Sequence, residues 1–259
     1  TTAFTVDMTG NPIVASSPIT LPMTYTNTGV PATDGWNMVS NPLPSPIAFD
    51  QLSLGADVDD YIVYFDPATG NNAIWDISSG SGLNGGTSTI QSSQAFWLKA
   101  HGSDVTTTVS ESAKVSGNGG GFFGDVNTVA SLIRLRINST INQFSDEALV
   151  VFSEGTPAVE SDDVPKLIFA HPEAPQIATV GETGQLIAIN AYGQYTADIS
   201  IPVMVDVAVN GNYTITATQF SNIGLSCLRL EDLATNTTTP MAEGMGYTFA
   251  ALAADDATE

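Results

Sequence analysis

The chain has few basic residues, few histidines and a single cysteine. Its 259 residues include 6 lysines and arginines against 27 aspartates and glutamates, so the formal net charge is −21. Nucleic-acid binding is excluded because phosphate neutralisation needs lysine and arginine, and docking on anionic lipid headgroups is disfavoured for the same reason. Cys227, the only cysteine, cannot form an internal disulfide. No apolar run approaches the about 20 residues of a membrane helix, so membrane insertion is not expected.

Helical periodicity is also missing, whereas the alternation typical of strands is frequent. Apolar residues make up 42% of the chain, which is enough for a core, and charged residues only 13%. Residues 4–9 alternate between apolar and polar side chains. In residues 132–138, Ile133, Leu135 and Ile137 share one face and two arginines share the other. This pattern predicts an all-β protein.

Two hairpins are indicated by turn residues between strand-like segments. Residues 61–65 and 73–77 flank a turn that contains Asp, Pro, Gly and Asn. Residues 203–209 and 213–218 flank an Asn-Gly turn signal. Many short strands with Gly, Pro and Asn between them are typical of sandwiches and barrels. We therefore expect two β-sandwich domains of the jelly-roll or immunoglobulin-like kind.

A glycine-rich stretch and a proline-rich stretch suggest the domain boundaries. Residues 1–33 contain four prolines between 12 and 31 and are expected to form an extended N-terminal arm, with a donor strand at its start. The first sandwich is assigned to 34–116, the linker to 117–124 and the second sandwich to 125–259. A long glycine-rich loop inside one domain is the alternative interpretation.

Several motifs, in this order, resemble a known family of surface proteins. They are GWNMVSNPLPSPI at 35–47, YIVYF at 61–65, IWD at 74–76, SQAFWLKA at 93–100, LIRL at 132–135, DEALVVF at 146–152, DDVPKL at 162–167, LEDL at 230–233 and YTF at 247–249. The chain resembles β-sandwich regions of large Bacteroidota proteins exported by the type IX secretion system. The resemblance implies an all-β fold and an extracellular or cell-surface location, and it does not imply an enzyme.

The resemblance also implies an incomplete second sandwich. In the family the chain continues after the Tyr-x-Phe motif with another apolar strand, whereas here the sequence ends in an acidic tail at 255–259. A missing strand would leave a hydrophobic groove and an unpaired edge. Phe4, Val6 and Met8 alternate in the arm and form a suitable donor strand. Donated to a neighbouring subunit, that strand would build a homo-oligomeric filament; donated to its own domain, it would give a monomer.

No residue pattern points to catalysis. His101 and His171 are expected in loops, no Gly-x-Ser-x-Gly elbow is present, and Cys227 is expected to pack as a small apolar residue. A hydrolase would need a cleft that holds His101 or His171 beside a carboxylate. We therefore expect no enzyme and no catalytic residues.

No cofactor or metal site is predicted, although Ca²⁺ stays open. Asp57, Asp59 and Asp60 form one cluster of oxygen ligands, and Asp66 with neighbouring asparagines forms another. Neither has the spacing of an EF-hand, and two histidines and one cysteine far apart do not form a zinc site.

The expected role is structural. The sequence predicts a subunit of a pilus-like surface filament or an adhesin, assembled by insertion of Phe4, Val6 and Met8 into a neighbour. The alternative is a carbohydrate-binding accessory region of a larger secreted protein, in which Trp36, Trp75 and Trp97 would stack on glycans. That alternative requires exposed aromatic rings, whereas aromatic residues inside apolar strands are ordinarily buried.

Overall fold

The computed structural model describes residues 11, 13–14, 16–30, 33–116, 131–153, 162–167, 170–193, 198–224 and 227–253. Within them the protein is all-β, as the alternation predicts. The predicted donor residues Phe4, Val6 and Met8 and the predicted linker 117–124 lie outside the described residues. No helix in the described part of the chain has the length and apolar character needed to cross a bilayer.

The first region, residues 16–116, is built around one five-stranded antiparallel sheet. The order of its strands in space is β2-β8-β4-β5-β6. Single-turn 3₁₀ helices occur at Phe49–Gln51 and Glu111–Ala113. The strands of this region are β1 (Ile19–Thr20), β2 (Trp36–Ser40), β3 (Ile47–Ala48), β4 (Tyr61–Asp66), β5 (Asn71–Asp76), β6 (Ser81–Leu83), β7 (Thr89–Ile90), β8 (Ala95–Lys99) and β9 (Thr108–Val109).

Strand β4 shows that this sheet is buried on both faces. Ile62 and Tyr64 point into a core formed within the first region, which includes Phe49 and Phe96. Tyr61 and its same-face neighbours point to the opposite side. A strand covered on both faces has a nearly continuous apolar sequence, and this explains why residues 61–65 are all apolar or aromatic.

The second region, residues 131–253, is built around a curled eight-stranded sheet. The path runs β15-β13-β14-β11-β10-β16-β19, and β12 pairs with β14 beside it. The hairpin of β17 and β18 forms a separate two-stranded sheet. The strands are β10 (Ser131–Ser139), β11 (Ser145–Ser153), β12 (Val164–Pro165), β13 (Gln176–Val180), β14 (Leu186–Gly193), β15 (Val203–Asp206), β16 (Gly211–Ser221), β17 (Leu228–Asp232), β18 (Thr237–Met241) and β19 (Gly246–Ala251).

The two regions share a buried cluster. Tyr61 and Val63 of the first sheet pack with Leu132 of β10 and with Leu149 and Val151 of β11. Ile133 and its same-face neighbours on β10 point to the other side, into the curl of the second sheet. The predicted faces of β10 are therefore correct. The division into two separate sandwiches is not confirmed and stays a prediction, since β10 and β11 belong to the cores of both regions.

One predicted hairpin is present and the other is wrong. Strands β4 and β5 pair with Tyr61 opposite Asp76, as their turn residues predict. Strand β15 does not pair with β16. It pairs with β13, and both edges of β16 are occupied by β10 and β19. The chain bends at 208–209, just before the Asn-Gly signal, and β16 begins at Gly211. The pairing of β16 is decided by distant strands.

Part of the predicted arm lies on the first region. Strand β1 pairs with β9, and Leu21, only 4% exposed, is buried in the first core. Thr28 donates to Asp34 through its hydroxyl at 2.6 Å and through its backbone N–H at 2.9 Å. The chain is therefore held to its own first region from Ile19 onward, so a free arm is shorter than the predicted 1–33.

Candidate assembly surface

The most distinctive surface of the molecule is the pair of open edges of the eight-stranded sheet. Strands β15 and β19 are the two ends of that sheet, and among the described residues no strand pairs with the outer edge of either. An unpaired edge presents a row of backbone donors and acceptors, which makes it a template for another strand. We call β15, β19 and the β17–β18 hairpin together the open side.

The interior of the sheet is only partly covered at the open side. Val203 and Val205 of β15 and Phe249 of β19 are partly buried and pack against a cluster that contains the fully buried Tyr213. Leu230 of the hairpin packs against the same cluster. The centre of this core is therefore fully buried. The apolar side chains at its two edges, on β15 and β19, are only partly covered.

A hydrogen bond ties the hairpin to the edge strand. The Tyr247 hydroxyl donates to Asp232 Oδ2 at 2.5 Å. This bond is the main reason why the pKa of Asp232 lies below its ordinary value and why the pKa of Tyr247 lies above its own. Tyr247 and Phe249 stack on one face of β19, with ring centroids 5.9 Å apart. The hairpin is thus tied to β19 by this hydrogen bond, and its Leu230 packs against the same cluster as Phe249.

His101 has acidic neighbours that the sequence did not reveal. Its Nδ1 lies 2.7 Å from Asp59 Oδ1, and its Nε2 lies 3.9 Å from Asp57 Oδ1. Tyr61 donates its hydroxyl to the other oxygen of Asp59 at 3.0 Å. The His101 side chain is 57% exposed, so these groups lie on an open surface and not in the cleft that the hydrolase alternative requires.

His171 and Cys227 also have defined places. The His171 ring packs on Phe144, with centroids 4.2 Å apart, and the backbone N–H of His171 donates to the carbonyl of Gly70. Cys227 is exposed, so the expectation that it packs as a buried apolar residue is wrong. It directly precedes β17, at the start of the hairpin, and its side chain is exposed to solvent.

The candidate calcium ligands are used in other contacts. Asp66 accepts backbone N–H groups of its own turn, from Ala68 and Thr69. The Asn71 amide donates to carbonyls of Ser145 and Pro175 in the second region, so it joins the two regions. Within the described residues no group of three or more His, Cys, Asp or Glu side chains is arranged to hold a metal ion.

The three tryptophans are packed into the protein. Trp36 and Trp97 contact the cluster shared by the two regions, and Trp75 contacts the core of the first region. Trp75 Nε1 donates to Asp50 Oδ1 at 2.8 Å. No tryptophan is among the exposed large apolar residues, so the rings do not form the exposed platform that the carbohydrate-binding alternative requires.

In comparisons with protein-family models, curated proteins and solved structures, no match reaches significance. The resemblance to type IX secretion substrates therefore stays a hypothesis that depends on the order of the motifs. The functional argument depends on the geometry described above.

Proposed function

We propose that this protein is an extracellular structural subunit that assembles into a surface filament or an adhesin by strand donation. The observation that supports the proposal is the open side, where no strand in the described part of the chain pairs with the outer edges of β15 and β19 and the apolar side chains behind them are only partly buried. A donated strand would satisfy backbone groups on an edge and complete the coverage of Phe249 and Val205.

The proposed donor is the start of the chain of a second copy. Phe4, Val6 and Met8 occupy alternate positions, so an extended conformation places all three on one face. The polar residues between them, Thr5 and Asp7, would then face solvent. Since the chain is held to its own first region from Ile19, residues 9–18 are the connection, and ten extended residues reach about 33 Å.

The charge of the protein sets a condition for assembly. Copies that each carry a net charge of −21 repel one another in dilute salt. The repulsion is screened over about 10 Å at 0.1 M salt, and the donor segment carries a single charged side chain, Asp7, which faces solvent in the proposed contact. Assembly is therefore expected to strengthen as salt increases, whereas an interface made of ion pairs would weaken.

The test compares the full chain with a chain that lacks residues 1–10. Light scattering and negative-stain images should show polymers of the full chain and monomers of the shortened one, both with the same β-sheet circular dichroism. Replacing Phe4, Val6 and Met8 by serine should have the effect of the deletion. The matched control replaces Thr5 and Thr9 by serine and should still polymerise. Polymers formed by the shortened chain would contradict the proposal, as would a full chain that is monomeric at high salt.

A second candidate, glycan binding, is favoured by one observation. Beside Phe144 lies an open cleft of about 370 Å³, lined by polar residues of β10, the following loop and β16. It contains Arg136, which donates to Ser145 Oγ at 2.9 Å and forms no ion pair with any described carboxylate. Amides and hydroxyls around a guanidinium suit a saccharide that carries a carboxylate.

Calorimetric titration with an oligogalacturonate tests this second candidate. Arg136→Gln should abolish the binding, and Arg229→Gln, at an exposed arginine on the hairpin, should leave it unchanged. Equal binding by all three chains, or binding by none of them, would contradict it.

A further inference from the structure

Among the described residues the most deeply buried ion pair is formed by Lys166 and Asp146. Lys166 Nζ contacts Asp146 Oδ2, and the two side chains are 5% and 0% exposed. Asp146 lies near the start of β11, and Lys166 follows β12, fixed by its backbone N–H to the Leu186 carbonyl at 2.8 Å. Among the described residues Asp146 is the only carboxylate within ion-pair distance of Lys166.

The carboxyl group of Asp146 has a donor on each oxygen besides Lys166. Asn84 Nδ2 donates to Oδ1 at 2.8 Å, and the backbone N–H of Ile177 donates to Oδ2 at 2.8 Å. Donors placed in this way polarise a carboxyl carbon and stabilise negative charge that develops on its oxygens. The amine and the carboxyl are also held together by two fixed strands, so their reaction needs no encounter step.

We propose that Lys166 and Asp146 form an intramolecular isopeptide bond. A proton passes from the Lys166 ammonium to Asp146 Oδ2, which gives a neutral amine beside a neutral carboxylic acid. The Nζ lone pair attacks Cγ, and Asn84 stabilises the charge on Oδ1. A second proton moves from Nζ to Oδ2, the Cγ–Oδ2 bond breaks, and one water leaves. An amide remains, with no oxidant, metal or further reactant required.

Burial favours this product over the ion pair. Holding two charges away from water carries a desolvation penalty that their mutual attraction offsets only in part. The amide is uncharged, and the released water enters bulk solvent. The pair of Lys114 and Glu111 has a smaller desolvation penalty to lose, because its side chains are 28% and 37% exposed.

The intact mass of the folded, purified protein tests the proposal. We expect a mass that is one water below the mass of the sequence, and protease digestion should yield a branched peptide that joins the segments around residues 146 and 166. Lys166→Arg should restore the full mass. Lys114→Arg is the matched control and should keep the loss of water. A folded wild-type chain with the full sequence mass would overturn the proposal.

Two further results separate the isopeptide bond from other dehydrations. A water loss that persists in Lys166→Arg would show a succinimide or another product and would overturn the proposal. In Asn84→Ala, the water loss should appear about a hundredfold more slowly in a time course that follows synthesis of the chain, since one oxyanion donor is lost. Bond formation at the wild-type rate in a folded Asn84→Ala chain would remove Asn84 from the mechanism.

Discussion

The two sheets of this protein differ in how their edges are covered. Beside the edge strand β2 of the first sheet, Asn37 donates its amide to the Thr24 carbonyl and accepts from the Thr24 N–H, both at 2.8 Å. At the opposite edge, Arg134 Nη1 donates to the Gly82 carbonyl of β6 at 2.7 Å. No described strand pairs with the outer edge of β2, β6, β15 or β19, so the first sheet's edges are covered by these side-chain contacts. At β15 and β19 the apolar side chains Val205 and Phe249 are only partly buried.

The apolar faces of the two sheets also differ in how completely they are covered, and again the second sheet is the less covered one. In the first sheet Phe96 is 1% exposed and lies in a closed core, whereas Phe249 at the open side is only partly buried. A sheet whose apolar face is fully covered by its own chain gains little stability from a further strand. A sheet whose apolar face is only partly covered gains stability when another strand completes the coverage. This difference locates the proposed assembly surface in the second region.

The largest expected loss of stability comes from replacing a phenylalanine by alanine in the first sheet, and the matched change in the second sheet should cost less. Phe96→Ala should lower the free energy of unfolding by about 3–5 kcal/mol, because it leaves a cavity in a closed core. Phe249→Ala should cost about 1–2 kcal/mol, since part of that ring is already in solvent. Chemical denaturation measures both values. Equal losses would remove the distinction between the two sheets.

The shared cluster supplies the next largest effect. Leu149→Ala should cost about 2–4 kcal/mol, because its fully buried side chain contacts both regions. Both regions should then lose stability in one transition, monitored by tryptophan fluorescence in the first and amide exchange in the second. Leu233→Ala, at a side chain 72% exposed, is the control and should be neutral. Separate transitions would support two independent sandwiches.

A smaller change in the free energy of unfolding is expected at Asp60, a carboxyl that is partly buried near other carboxylates of the first region. Burial, followed by the charge of Asp76, raises the pKa of Asp60. A carboxyl whose folded pKa is raised destabilises the folded state above that pKa, and the penalty disappears as pH falls toward the ordinary value of 3.8. Asp60→Asn should therefore stabilise the protein at neutral pH by about 0.5 kcal/mol, after allowance for solvent screening.

The stabilisation by Asp60→Asn should vanish in unfolding experiments below about pH 4. A gain that is independent of pH would show that packing, and not charge, is responsible.

The smallest effect concerns the link between the hairpin and β19. The Tyr247 hydroxyl holds the pKa of Asp232 below its ordinary value, so the resulting stability is present above that value and is lost as pH falls through the lowered folded pKa. Tyr247→Phe should cost about 0.3 kcal/mol at neutral pH, because both groups are only partly buried and solvent screens their interaction. Wild type and variant should converge in acid; a constant difference would contradict the assigned hydrogen bond.

Local patterns predicted much of the fold. The β4–β5 hairpin and the two faces of β10 follow from residues that are neighbours in sequence, since alternation and turn chemistry act over a few residues. The pairing of β15 with β13 was missed because sheet order depends on contacts between distant segments. The Asn-Gly signal at 210–211 did not determine the pairing of β15, because contacts with distant strands did.

The polar contacts between strands were less predictable than the strands. Asp146 and Lys166 belong to motifs that were noted only for their resemblance to a family. Their contact depends on β11 and β12 lying on opposite edges of β14, which alternation does not encode. Arg134 pairs with Glu147 on the neighbouring strand, a contact that depends on the register of β10 against β11. The scarcity of basic residues was an available signal, because a chain with 6 of them has few to bury by chance.

Binding of a synthetic peptide of residues 1–10 to the chain that lacks them tests strand donation most directly. The account predicts saturable binding of one peptide per chain, loss of binding when Phe4, Val6 and Met8 are replaced by serine, and protection of β15 or β19 amides from exchange. No binding, or binding that protects only first-region amides, would contradict it.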